Sequence, residues 1–268
     1  MITADDERRF YDQQYTQFLS LPDHSLRISR AILERDLADP RHPIYERRRL
    51  YKRTLELLLG LAPAGKRVLE YGCGTGDWGL LLATEGAEAT LLDLSPVAIE
   101  VVQKRAAASG VQVRGVARDA ADLSCFSTGE FDLIYANAAL HHTLKYDGAR
   151  DELVRVLKPG GYLVLSETFG NNPLINAARR IGWKLRGQAD EQGEEILFGA
   201  SELDLLRAAF SQVTVEPMYV LGMVKRLFRG RFANPLVRGL LGGIQIVDWP
   251  IERMLPNYCG EVLVVARK

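Results

Sequence analysis

Residues 67–83 read RVLEYGCGTGDWGLLLA. The apolar run Val68–Tyr71 is broken by Gly72, Gly74, Gly76 and Gly79 and then resumes with helical spacing, which predicts strand, tight turn and helix. A backbone that bends sharply and lies against a ligand cannot carry a Cβ, so the glycines point to close approach. The amides that open the following helix then face that ligand.

Two cofactors fit this spacing. Gly74, Gly76 and Gly79 match the G-x-G-x-x-G of dinucleotide-binding folds, whereas Glu70, Gly72, Gly74 and Gly76 match the acid-x-G-x-G-x-G written around S-adenosylmethionine. The acid at the end of the strand leans toward the second, because Glu70 accepts from an ammonium and repels a pyrophosphate. Asp93 ends the next apolar run, about twenty residues after the glycines, the spacing at which a carboxylate meets a ribose diol.

Four later segments keep the same order: LLDLSP at 91–96, RDAADL at 118–123, FDLIYANAALHHT at 131–143 and RVLKPGGYLVLSE at 155–167. With the glycine stretch they resemble the motif series of the class I S-adenosylmethionine-dependent methyltransferases, in particular small-molecule members similar to natural-product and sugar O-methyltransferases. The resemblance covers 66–167. It implies an α/β fold: a Rossmann-like, seven-stranded, mostly parallel sheet with helices on both faces, an antiparallel last strand and an N-terminal helical lid. It implies S-adenosylmethionine as cofactor, S-adenosylhomocysteine as product, and cofactor contacts at Glu70, Gly72, Cys73, Gly74, Gly76, Asp93, Leu94, Asp119, Ala120 and Asn137. Asp119 would accept from the adenine amino group, with the Ala120 amide beside it. Read without the resemblance, Asp119 is an ordinary turn aspartate.

His141 and His142 follow the fourth strand directly, where ligands of open α/β sheets bind. Imidazoles near neutral pKa there are candidates for general acid–base work, or they pack and hold a loop. In related sugar O-methyltransferases an acid after the next strand cooperates with such a histidine. Glu167 is therefore a third candidate, as base or as orienter of His141 or His142.

The 268 residues carry 34 Lys plus Arg and 34 Asp plus Glu, so no global field favours nucleic acid. Cys73, Cys125 and Cys259 are odd in number and widely spaced, which suits reduced thiols rather than zinc or disulfides. No metal is expected. The start MITADDERRF lacks the apolar core of a signal peptide, and no apolar run reaches the roughly 18 residues of a membrane span. These features predict a cytoplasmic protein.

Three units are expected: a helical lid over 1–65, a cofactor-binding core over 66–167, and a C-terminal half of the core over 168–268 with substrate-specificity insertions at 168–200 and 221–256. In the first, aromatic residues at helical spacing are most simply core, but the resemblance places Tyr11 and Tyr15 near the chemistry. A second helix is predicted over 44–60, with Glu46–Arg49 as a solvated face. Further on, a strand is predicted over 111–116 and a helix capped by Ser201. The run Arg179, Arg180, Lys184, Arg186 followed by Asp190, Glu191, Glu194 and Glu195 reads as an inserted helix and loop or as a solvated helix. Within 221–256, Lys225, Arg226, Arg229, Arg231 and Arg238 precede any acid and are interleaved with apolar residues. That composition, over 221–247, suits a peripheral membrane surface or a lipidic substrate. A homodimer interface or a helix capping the sheet edge is the simpler reading.

The function these features predict is methyl transfer to a small-molecule acceptor, most simply O-methylation of a natural product or sugar-containing metabolite with base assistance. N- or C-methylation of a lipophilic or membrane-associated acceptor is the alternative. A nicotinamide oxidoreductase and a catalytically silent methyltransferase-like partner protein are the more distant ones.

Overall fold

The structure is a computed structural model that describes residues 4–61, 64–144, 148–173, 175–177 and 197–268. The charged run at 179–195 lies outside the described residues, as does Leu174.

Apolar residues are continuous along the central strands because both faces of the sheet are covered. The strands are β1 Arg67–Tyr71, β2 Glu88–Asp93, β3 Arg114–Ala117, β4 Phe131–Asn137, β5 Leu157–Thr168, β6 Gln212–Met218 and β7 Glu261–Arg267. Their order is β3-β2-β1-β4-β5-β7-β6, with β7 antiparallel to both β5 and β6. Successive side chains feed opposite layers. Val68, Leu133, Tyr135 and Leu263 join one cluster and Leu69, Ile134, Ala136 and Val264 the other.

Helices α1 Ala4–Leu19, α2 Asp23–Leu26, α3 Arg30–Ala38 and α4 Arg48–Gly60 precede the sheet. Within the sheet lie α5 Asp77–Thr84, α6 Pro96–Ser109, α7 Leu140–Thr143, α8 Ala149–Val156, α9 Ala200–Ala209 and α10 Pro235–Met254. Ser95 caps α6 by accepting the Ala98 amide at 3.0 Å, and Pro96 holds the first helical position, as both residue types prefer.

Local readings shift in three places. β3 begins at Arg114, so Val111–Val113 approach the sheet without pairing. Lys158–Gly161 bulge within β5 as the register moves from Phe131↔Leu157 to Leu133↔Tyr162. Ser201 lies inside the first turn of α9. Asn171 Oδ1 accepts the Ala200 amide and Glu202 reaches back to the Gly199 amide at 2.8 Å, so those two side chains cap the helix.

The Glu46–Arg49 cluster is not a solvated face. Glu46 is buried against Arg229, and Arg49 forms a two-pronged pair with Glu252, its Nη2 at 2.7 Å from Oε2. Lys225 likewise turns inward, 3.1 Å from the buried Glu261, and burial pushes its amine down to about 8. The first two pairs tie residues 46–49 to residues 221–256, and the third ties that stretch to β7. Removing one partner would leave an uncompensated buried charge.

Candidate active site

The strand order reverses at β1: the chain runs to β2 on one side and β4 lies on the other. The crevice beyond the carboxyl ends of these strands is the ligand site of such sheets. A cavity of about 340 Å³ occupies it, floored by Gly72–Thr75 and bounded by Asp93, Asn137 and His142.

Gly72 has φ +63°, and a Cβ there would lie 2.5 Å from that of Ala139 in the turn after β4. The loop can therefore approach its neighbour only without a side chain. Asp93 fixes the loop, its Oδ2 accepting the Gly74 amide at 2.7 Å and its Oδ1 the Ser95 amide at 2.9 Å. Burial raises its pKa against these two amides. Arg105 secures the other side, donating to the Thr75 carbonyl at 2.6 Å and to Asp77 at 2.7 Å. Nothing in the local sequence marks Arg105 for this, because its partners lie about thirty positions away along the chain.

Glu70 lines the cavity from beneath. Its Oε2 accepts the Gly79 amide at 2.7 Å, and burial pushes the carboxyl up to about 8. In the unfolded chain this group titrates in the ordinary range. Between roughly pH 4.5 and 8 the folded state thus binds the extra proton, and stability falls as pH rises. Denaturant unfolding of the ligand-free protein should show this decline, at up to about 1.4 kcal/mol per pH unit from this group. Glu70→Gln should flatten it.

Asp119 and Ala120 line the cavity beyond β3. Asp119 Oδ1 accepts the Ala121 amide at 2.8 Å, and the Ala120 carbonyl accepts from the Tyr71 hydroxyl at 2.7 Å. Leu94 and Cys73 also face the space, and burial holds the Cys73 thiol well above its usual pKa. Asn137 donates weakly to the Tyr51 hydroxyl at 3.5 Å.

Helix α1 roofs the cavity. Tyr11 and Tyr15 line it with rings stacked 5.9 Å apart, and burial raises the Tyr15 hydroxyl, with Asp93 adding to the effect. The helix is pinned by Ser95 Oγ donating to Asp12 and by Lys104 donating to the Leu19 carbonyl at 2.8 Å. Neither contact is signalled by the sequence. Glu7 of α1 also lines the cavity and stands 3.6 Å from His142 Nδ1.

The two histidines separate in role. His142 borders the cavity, whereas His141 Nδ1 lies 2.9 Å from Glu167 Oε2. Glu167 is buried, and its Oε1 accepts the Ala139 and Leu140 amides at 3.2 and 3.1 Å. A carboxylate engaged as acceptor throughout makes His141 Nδ1 the donor and leaves Nε2 to accept a proton. The turn it holds contains Ala138 at φ +51°, a conformation costly for a side chain and kept only where surrounding bonds enforce it.

Five acids line the cavity, Glu7, Glu70, Asp77, Asp93 and Asp119, of which burial keeps Glu70 protonated up to about pH 8, and among the described residues no lysine or arginine does. That field fits a cationic ligand with a ribose to anchor. It opposes a dinucleotide pyrophosphate.

Residues 68–161 match the family model described as "Methyltransferase domain". The chain is 35% identical over 122 residues to the "Ubiquinone biosynthesis O-methyltransferase" of Xanthomonas axonopodis pv. citri, covering 46% of this chain and 51% of that protein. It is 37% identical over 118 residues to the "Demethylmenaquinone methyltransferase" of Thermus thermophilus, covering 43% and 52% respectively. The chain thus spans about half the length of the curated relatives it matches. Among solved structures, the [4+2]-cyclase SpnF superposes with a TM-score of 0.53 at 23% identity, over 81% of this chain and 80% of that one. That likeness concerns the fold alone, and a cyclase on this scaffold shows that the reaction must be argued from the site. With the matched region laid over β1 to β5 and the cavity at the reversal point of the sheet, residues 68–161 are a methyltransferase domain of the class I S-adenosylmethionine-dependent type.

Proposed function

We propose that this protein methylates a hydroxyl of a small-molecule acceptor, a sugar, a quinol or another natural-product ring. The observation that carries the reading is the acid-lined cavity over the glycine loop, beside the His141–Glu167 pair. When bound, S-adenosylmethionine supplies a methyl group already activated by the positive charge on its sulfur. Glu70, Asp93, Asp119 and the glycine-loop amides would hold it, with Cys73, Leu94, Ala120 and Asn137 completing the walls.

The chain then has two tasks, to position the acceptor and to remove its proton. Glu167 keeps the His141 ring in the tautomer that receives a proton at Nε2, and the neighbouring His142 borders the cavity itself. Helix α1 acts as a lid whose Tyr11 and Tyr15 exclude water. A hydroxyl needs such a base more than an amine does, because its protonated oxygen is a poor nucleophile. The names of the quinone-pathway relatives support an acceptor of this class. We assign the protein to the cytoplasm, a reading supported by three unpaired cysteines.

Calorimetric titration with S-adenosylmethionine, S-adenosylhomocysteine and NAD⁺ tests the cofactor, followed by mass detection of S-adenosylhomocysteine formed with hydroxylated acceptors and their amino analogues. Binding of the adenosyl ligands and turnover confined to the hydroxyl series is the expected result. Turnover with the amines alone would overturn the O-methylation reading.

A further inference from the structure

Helix α10 is built inside out. Its acids Asp248 and Glu252 are 0% and 3% exposed, whereas Leu236, Ile246 and Met254 are 82%, 77% and 78% exposed. The inward acids have structural work: Asp248 accepts the Leu221 and Gly222 amides at 2.7 and 2.8 Å, and Glu252 accepts the Tyr219 amide at 2.7 Å. Tyr219 sits at φ +64°, so this turn needs its amides held. The rotation that satisfies these amides turns the opposite face of the helix outward. There Leu236, Leu240, Val247 and Met254 recur at intervals of four and seven, forming one stripe along the helix.

The charges beside that stripe are of one sign. Every exposed charged residue of 221–258 is an arginine: Arg229, Arg231, Arg238 and Arg253. Arg229 is taken by Glu46, which leaves Arg231, Arg238 and Arg253 for an outside partner. Trp249 is also exposed, with the Arg253 guanidinium 4.0 Å from its ring centre, and Tyr258 is exposed nearby in sequence. An apolar stripe flanked by arginines and interfacial aromatics is complementary to the headgroup region of an anionic bilayer. A second copy is a poorer occupant, because a two-fold contact would set these arginines against each other with no exposed acid of the segment to pair them. No described helix is long and apolar enough to cross a membrane, so the contact would lie in the plane of the surface.

We infer that α10 docks this protein on anionic lipid membranes. The helix follows β6 and precedes β7, packed by way of Tyr219 and Glu252 at the sheet edge where the catalytic cavity opens. Docking therefore brings that edge of the sheet toward lipid.

The test is co-sedimentation of the full chain with phosphatidylcholine vesicles, with and without phosphatidylglycerol, together with Trp249 emission. The expected result is binding to the anionic vesicles that weakens with added salt, accompanied by a blue shift that Trp249→Phe abolishes. Arg231→Gln with Arg238→Gln should weaken binding roughly five-fold per cation removed. Leu236→Ser with Ile246→Ser should weaken it roughly ten-fold or more per residue. All four positions are exposed, so the unfolding midpoint should stay at its parent value. No vesicle binding, equal binding to the uncharged vesicles, or binding untouched by both double variants would each overturn the inference. So would a dimer that the Leu236/Ile246 variant dissociates in a protein that ignores vesicles.

Discussion

His141→Ala should lower kcat by roughly 10² to 10⁴-fold, the range for loss of a positioned general base, while the Kd for S-adenosylhomocysteine stays unchanged. The separation of effects follows from the geometry. His141 is held from behind by Glu167, which also fastens the Ala139 and Leu140 amides, whereas the carboxylates that would hold the cofactor belong to β1, β2 and the turn after β3. Glu167→Gln serves as the companion variant. Its amide still accepts from the backbone through the carbonyl oxygen, but its nitrogen donates to the ring and favours the tautomer with its proton on the wrong side. Loss of turnover in both, with ligand affinity intact, identifies the pair as the proton-handling unit. Full activity in His141→Ala would transfer that role to His142, which stands nearer the cavity and beside Glu7.

Asp93→Ala should weaken S-adenosylhomocysteine binding by roughly 10² to 10³-fold, as isothermal titration would measure it. Two losses combine. The carboxylate would no longer meet the ribose, and the glycine loop would lose the acceptor that fixes it through the Gly74 and Ser95 amides, so binding would also have to order the loop. Asp93→Asn separates the two, since its single carbonyl oxygen can keep one amide while a charged acceptor is lost. An affinity equal to the parent's in both variants would remove Asp93 from the site.

Much of this was written in the local sequence. The glycine loop after β1, the acid closing β2 and the Ser95–Pro96 helix start are each specified by neighbours a few residues apart, so motif and periodicity reveal them. The antiparallel β7 was expected only from the family resemblance, because its partner β5 lies about a hundred residues away. The ion pairs were not legible. Glu46 and Arg229 are 183 positions apart and Arg49 and Glu252 are 203 apart, and in one dimension each is simply a charge with water to face. The cationic run from Lys225 to Arg238 was equally ambiguous. Lys225, Arg226 and Arg229 are absorbed by Glu261 and Glu46, leaving Arg231 and Arg238 outside.

By itself the sequence determined the strand–turn–helix that receives the cofactor, because glycine and carboxylate chemistry act over a few bonds. Only the tertiary structure decided three other features: that α1 closes the cavity through Asp12 and Ser95, that Glu167 stands behind His141, and that α10 turns its acids inward and its leucines outward. Each of those depends on a backbone amide or side chain brought in from elsewhere in the fold, and a buried polar group takes whichever partner the packing supplies.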